Sequence, residues 1–283
     1  MTNSPVMKIG PYPLNTLQLL KLVVYSLLIF NFFLYIREDL LISSHTLRSG
    51  STFLEITRSF ATTIDESAWI TLLLLFELET YLLSDEPLSR SKVLLMQAIR
   101  LICYVSLAHT LYAWFGNLME LYASVPIEGI TSLCQMIDED VSYAFNLVYT
   151  KIDQSNCASL STATQFFYVD PPTFLIVEDH AGLVIEKQLA WIDLFEAITW
   201  LVILFTIEVA VWLQDRNIGE GLIFKVLRTA KLCLYSLLWA AIAYWIYRGH
   251  YMFAWDEFVW IAGFTAIEMN MVEWRKEINE AEV

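Results

Sequence analysis

The sequence is short of charge, and most of the charge it has is of one sign: 17 Lys and Arg stand against 31 Asp and Glu, a formal net charge of −14. Such an acidic chain offers no footprint for nucleic acid and no polybasic stretch for a membrane surface. Catalytic signatures are missing as well. There is no G-x-S-x-G, no P-loop, no H-E-x-x-H and no C-x-x-C, so no nucleophile is named; a non-enzyme is the favoured reading, and the missing motifs do not exclude an intramembrane enzyme. Gly and Pro are scarce within the apolar runs, which removes the broken helices that expose carbonyls to an ion.

Cysteine is sparse too. Cys103 and Cys233 fall in apolar runs, whereas Cys134 and Cys157 share one long loop. If that loop faces an oxidising compartment, the pair is a disulfide candidate, against the alternative of two free thiols. Of four histidines only His109 lies well inside an apolar run; His45, His180 and His250 sit at or beyond the outer ends. No two axial ligands share a depth, and no haem or other cofactor is expected. Glu178-Asp179-His180 reads as a solvated turn in preference to a metal site.

What the chain has in quantity is apolar side chains: 57% of its 283 residues are hydrophobic, and the mean hydropathy is +0.52. They fall in blocks long enough for helices rising about 1.5 Å per residue to cross a hydrocarbon core of about 30 Å. The expected spans are about 15–36, 67–84, 93–118, 190–213, 222–247 and 250–273. Tyr35, Trp69, Tyr81, Trp114, Trp191, Trp212, Trp245, Tyr247 and Trp274 fall near their ends, as amphipathic rings at headgroup level do.

The N-terminal tail, the two short loops and the C-terminal tail hold Lys8, Arg90, Lys92, Arg216, Lys225, Arg228, Arg275 and Lys276. The two longer loops together hold Arg37, Arg48, Arg58, Lys151 and Lys187, with Arg248 at a third short turn on the same side. The bias places both termini in the cytoplasm, in a bacterial inner membrane or another membrane facing that compartment. The first block contains Lys21, is too long for the apolar region of a cleaved leader, and is expected to act as a signal anchor.

Internal repetition carries the most information. Lys21-x3-Tyr25, Arg100-x3-Tyr104 and Lys231-x3-Tyr235 open the odd-numbered spans with one template, [KR]-L-x-x-Y, and an aromatic follows at Tyr35, Trp114 and Trp245. The even-numbered spans share another: Asp65-x3-Trp69-x7-Glu77, Glu196-x3-Trp200-x7-Glu208 and Asp256-x3-Trp260-x7-Glu268. Alternating in order, the two templates predict an all-α membrane protein of six transmembrane helices, folded as three parallel helical-hairpin repeats about a pseudo-threefold axis.

The expected divisions are a tail at 1–14, repeat 1 at 15–84, repeat 2 at 93–213, repeat 3 at 222–273 and an acidic tail at 274–283. Repeat 1 carries an outer segment, 37–64, read as a short amphipathic surface helix. Repeat 2 carries a large and mostly polar outer loop, 119–189.

Twelve residues of helix, about 18 Å, separate the two acids of each even span, which brings Glu77, Glu208 and Glu268 to the level of the odd-span bases. A charge in hydrocarbon costs about 2.5–3.5 kcal/mol or more, so these groups are expected to pair. The spacing allows Lys21 with Glu77, Arg100 with Glu208 and Lys231 with Glu268, or the cyclic permutation between repeats. Tyr25, Tyr104 and Tyr235 are placed to donate to the same carboxylates. One reading makes the pairs locks on each hairpin. The other makes the three Glu a ring for a small cation or for protons, helped by the extra acids Glu79 and Glu273. Asp65, Glu196 and Asp256 read as acids near helix starts, favoured by the macrodipole.

The expected function is that of an accessory, assembly or interaction subunit in the lipid bilayer, docking other membrane proteins through 119–189 and 37–64. A small proton or cation channel or transporter is the alternative.

Overall fold

The computed structural model describes residues 7–9, 12–14, 16–78, 89–214, 216 and 221–281, with side chains described over 18–78, 89–213, 216, 221–266 and 268. Glu79 and Tyr81 lie outside the described residues, and so do the side chains of Glu273 and Trp274.

A two-stranded hairpin, β1 (Met7–Ile9) with β2 (Tyr12–Leu14), precedes the first long helix, α1 (Thr16–Thr46). There follow α2 (Phe53–Ser59), α3 (Ala61–Glu77) and α4 (Arg90–Tyr122), then a mixed segment, then α6 (His180–Gln214), α7 (Leu222–Arg248) and α8 (Tyr251–Ala281). Among the described residues four helices are long and apolar enough to cross a membrane, α1, α4, α6 and α7, or five if the bent pair of α2 and α3 is one span.

The helices outrun the apolar runs that predict them. α4 and α6 continue past the outer span limits at 118 and 190, and segment 37–64 is divided among the end of α1, the short helix α2, whose Phe53, Leu54 and Ile56 are exposed, and the start of α3. α1 runs on to Thr46, and α2 meets α3 at a bend of 69°. The junction is held by Asp39 of α1, whose Oδ2 accepts the Thr63 amide at 2.8 Å and so satisfies one of the orphan N–H groups of α3. At the other tight turn, Gly249 takes φ +84 after α7 and its amide donates to Ile246 O, while that of His250 donates to Trp245 O. This left-handed position suits a residue without Cβ.

The chain divides into two compact units. The first comprises 1–34, 66–104 and 199–283; the second comprises 35–65 and 105–198.

The first unit is a helical bundle. Its stretches of α1, α4 and α7 present Phe30, Phe33, Leu94, Ile102 and Leu232 outward, while Leu72, Leu73 and Phe76 of α3, Ile203 and Ile207 of α6 and Phe264 of α8 are fully buried. A soluble protein would not leave so much contiguous apolar surface open, and lipid is the solvent that suits it. α8 comes close to its neighbours at Gly263, where a Cβ would lie 3.4 Å from Val24 Cγ1 and 3.5 Å from Leu73 Cδ1.

The second unit contains a five-stranded sheet that the polar composition of 119–189 did not announce. Its strands are β3 (Val125–Pro126), β4 (Ser142–Phe145), β5 (Val148–Lys151), β6 (Phe166–Tyr168) and β7 (Ile176–Asp179), with a short helix α5 (Cys157–Leu160) between β5 and β6. The order is β3-β6-β7-β4-β5, antiparallel except for β4 beside β7, where Ser142 pairs with Ile176.

Side-chain alternation gives this sheet two cores. Ile176 packs with Leu118, Leu121, Leu183, Ala190 and Leu194; Val177 packs on the opposite face with Leu133, Met136, Phe166 and Cys157. Cys134 and Cys157 are joined in a disulfide with Cα atoms 4.8 Å apart.

Candidate functional site

The bundle brings together the charged residues of the two templates. Lys21 Nζ lies 2.6 Å from Glu77 Oε1, and Tyr25 Oη donates to Glu77 Oε2 at 3.1 Å. Lys231 Nζ lies 2.9 Å from Glu268 Oε2, and Tyr235 Oη donates to Glu268 Oε1 at 3.0 Å. In the second hairpin Arg100 Nε stands 3.6 Å from Glu208 Oε1, and Tyr104 donates to the same oxygen. Each of the three carboxylates therefore meets one base and one phenol of the preceding template helix. The two groups lie one turn apart on one face of a helix, so a single carboxylate can reach both.

Further contacts tie these helices to one another. Arg100 of α4 lies over Phe76 of α3, 5.3 Å from the ring centroid. Tyr235 of α7 meets Trp200 of α6 edge-on at 6.4 Å. Asn31 Nδ2 of α1 donates to Asp256 Oδ1 of α8 at 2.7 Å.

The three template tryptophans converge. Trp69 lies 6.0 Å from Trp200 and 6.4 Å from Trp260, and Phe264 packs against all three at 5.7, 5.1 and 6.0 Å. Their indoles carry the polar bonds expected of buried Trp: Trp200 Nε1 donates to Glu257 Oε1 at 2.9 Å, and Trp260 Nε1 to Glu66 Oε1 at 3.1 Å.

Asp65 Oδ1 accepts from Thr110 Oγ1 at 2.8 Å, Asp256 is buried against Asn31, and Glu196 is half-buried on α6. Expectation and structure part at Glu196. α6 begins at His180, so Glu196 is several turns inside the helix, beyond the reach of the macrodipole.

Sequence reasoning missed the buried Glu66, Glu257 and Asn31. Glu66 and Glu257 directly follow the template acids Asp65 and Asp256, where the second repeat has Ala197, and this two-of-three match was their signal. His109 Nε2 is buried with no hydrogen-bond partner among the described residues. Among the described residues no group of three or more His, Cys, Asp or Glu is arranged to hold a metal ion.

In the second unit Glu178 and Asp179 are not a solvated turn: both are buried. Asp179 Oδ1 accepts the Gly182 amide at 2.7 Å, which caps α6, and Tyr143 donates to Oδ2 at 3.1 Å. The Glu178 carboxyl is pushed up to about 9 by burial and by the neighbouring Glu186, Asp179 and Asp170. Glu186 Oε1 accepts the Leu147 amide at 2.7 Å, steadying a β4–β5 turn in which Asn146 and Leu147 both have positive φ. His45 Nδ1 meets Ser142 Oγ at 2.8 Å, but Ser142 is fully buried and cannot reach a substrate. On the surface Asp140 pairs with Lys151 and Arg48, which hold its carboxyl below the usual range.

No protein-family model, no curated protein and no solved structure matches this chain.

Proposed function

We propose that the chain is a membrane scaffold: six transmembrane helices in three parallel hairpins about a pseudo-threefold axis, serving as an accessory or assembly subunit that docks other membrane proteins through 119–189 and 37–64. The observation that carries this reading is where the intramembrane acids are committed. Glu77, Glu208 and Glu268 are each held by a base and a phenol of their own hairpin. A cluster of Trp69, Trp200, Trp260 and Phe264 packs among α3, α6 and α8. A ring of three carboxylates around a hydrated path would instead leave them facing one another.

The cyclic contacts Arg100 to Phe76, Tyr235 to Trp200 and Asn31 to Asp256 support a closed threefold order with α8 as the sixth span. The disulfide supports an oxidising compartment around 119–189, which leaves both termini on the cytoplasmic side.

Purification of the full chain from its own membrane in mild detergent, followed by native mass spectrometry, tests the reading. A complex of fixed stoichiometry that charge reversal at Asp138 and Glu139, in the acidic run Asp138-Glu139-Asp140 of 119–189, weakens supports it. Recovery only as a monodisperse monomer overturns it.

A second reading, a proton or cation conduit, draws on the further buried acids Glu66, Asp256 and Glu257. It requires flux into liposomes that Glu257→Gln or Glu77→Gln abolishes while folding is kept. Wild-type liposomes closed to every small cation end it.

A further inference from the structure

The second unit carries a cation that neither hairpin locks nor surface ion pairs use. α4 and α6 pack along a seam through Leu118 and Leu194. At one point on that seam Lys187 Nζ of α6 lies 4.9 Å from the ring centroid of Tyr122 of α4. Trp191 Nε1, one turn on from Lys187, donates to Tyr122 Oη at 3.1 Å. Both rings remain open, Trp191 at 51% and Tyr122 at 55% exposure. Lys187 makes no salt bridge among the described residues, whereas Arg48, Arg58 and Lys151 of the same unit each have a carboxylate.

The surroundings are apolar along both helices. Phe115 and Met119 stand exposed on α4, and Phe195 and Ile198 on α6. The corner therefore offers, in order, an ammonium, two amphipathic rings with polar tips, and paired apolar stripes. An ammonium steadied against a ring face keeps N–H donors directed away from it, and Tyr and Trp with one wet end settle at headgroup level.

We propose that Lys187, Tyr122 and Trp191 form a binding site for the phosphate of an anionic phospholipid, whose acyl chains lie along the exposed faces of α4 and α6. A helix from another protein would cover the apolar stripes equally well, but it would have to supply an acid for Lys187 at one fixed height. A phospholipid brings phosphate and acyl chain in that order by construction. One partly desolvated ammonium suffices here, so the lack of a polybasic stretch does not count against the site.

The test uses the full chain in nanodiscs of phosphatidylcholine with or without phosphatidylglycerol, the retained lipid being counted by native mass spectrometry after release into mild detergent. The expected result is that wild type retains phosphatidylglycerol several-fold over phosphatidylcholine, Lys187→Arg keeps the preference, Lys187→Gln loses it, and millimolar inorganic phosphate does not displace the lipid. Equal retention of the two lipids by wild type overturns the proposal, and so does a Lys187→Gln protein with unchanged preference. Displacement by inorganic phosphate would show a free-anion site and overturn the lipid assignment. Should Lys187→Gln fail to fold, the wild-type comparison decides alone. The outcome does not depend on whether the chain is a scaffold or a conduit.

Discussion

The two units solve the problem of burying acids in opposite ways. In the bundle, Glu77 and Glu268 each meet a lysine within 3 Å and a tyrosine on the other oxygen, and Glu208 likewise meets one base, Arg100, and one phenol, Tyr104. In the unit formed by 35–65 and 105–198, Glu178 is 2% exposed, its Oε2 has no hydrogen-bond partner among the described residues, and the charges of Glu186, Asp179 and Asp170 outweigh that of Lys187. The first design neutralises a carboxylate with a dedicated counter-charge. The second keeps it neutral by holding its proton. Pairing tolerates any pH between the two partners' titrations, whereas proton retention makes stability fall as pH rises.

The largest effect that can break this comparison lies in the bundle. Replacing Glu77 by Ala leaves the Lys21 ammonium buried without its carboxylate, and the expected cost is about 3–5 kcal/mol in thermal unfolding of the detergent-solubilised protein. Removing the group altogether, as Lys21→Met, Tyr25→Phe and Glu77→Leu together, should restore most of that loss, since a well-packed apolar replacement of a buried pair is close to neutral. A triple variant as unstable as Glu77→Ala would mean that the pair does more than cancel its own desolvation.

The next effect belongs to the second unit. Replacing Cys134 and Cys157 by Ser opens a cross-link that spans 23 positions of chain, and the loop-entropy estimate is about 3 kcal/mol. Hydrogen exchange should rise across β4–β7 while amides of α7 and α8 keep their protection. Equal loosening in both would contradict their description as separate compact units.

How far each unit was legible in the sequence follows from the same contrast. Lys21, Arg100 and Lys231 stand at fixed offsets from Tyr25, Tyr104 and Tyr235 on continuous helices, and helical rise alone brings a residue twelve positions past the template acid to their level. Nothing local says which hairpin a carboxylate belongs to, and that choice waits on packing. Asn31 with Asp256 was out of reach for another reason: 225 positions separate them, and no periodicity links the two.

In 119–189 the signal was weaker still. β4 pairs with β7 in parallel across a long polar interval, and β3 has two residues, too few for an alternating pattern. Glu178 looked solvated because its neighbours in sequence are polar. Its burial comes from β6 and β4, the strands that flank β7, and from α6, which begins directly after β7 at His180.

The last two effects are pH-dependent, and their opposite signs sharpen the comparison. The Glu178 carboxyl titrates near 9 when folded against an ordinary 4.5. A raised value means that its contribution to stability is whole below about 4.5 and drains away as pH climbs through about 9. The second unit should therefore unfold more readily at pH 9 than at pH 5, and Glu178→Gln should flatten that slope; a wild-type slope retained in the Gln variant would assign it to another group. Asp140 is the smaller case. Its carboxyl is held below the ordinary 3.8 by the hydrogen bond from Lys151 and the charge of Arg48. Its contribution is present above 3.8 and disappears as pH falls through the lowered value. Because Asp140 is fully exposed, solvent and salt screen it, and Asp140→Asn should change the acid side of the profile slightly, and less so in high salt. The two acids thus act in windows that do not overlap. A double variant should add the two single effects, since Asp140 on the surface and Glu178 in the interior share no hydrogen-bond partner among the described residues.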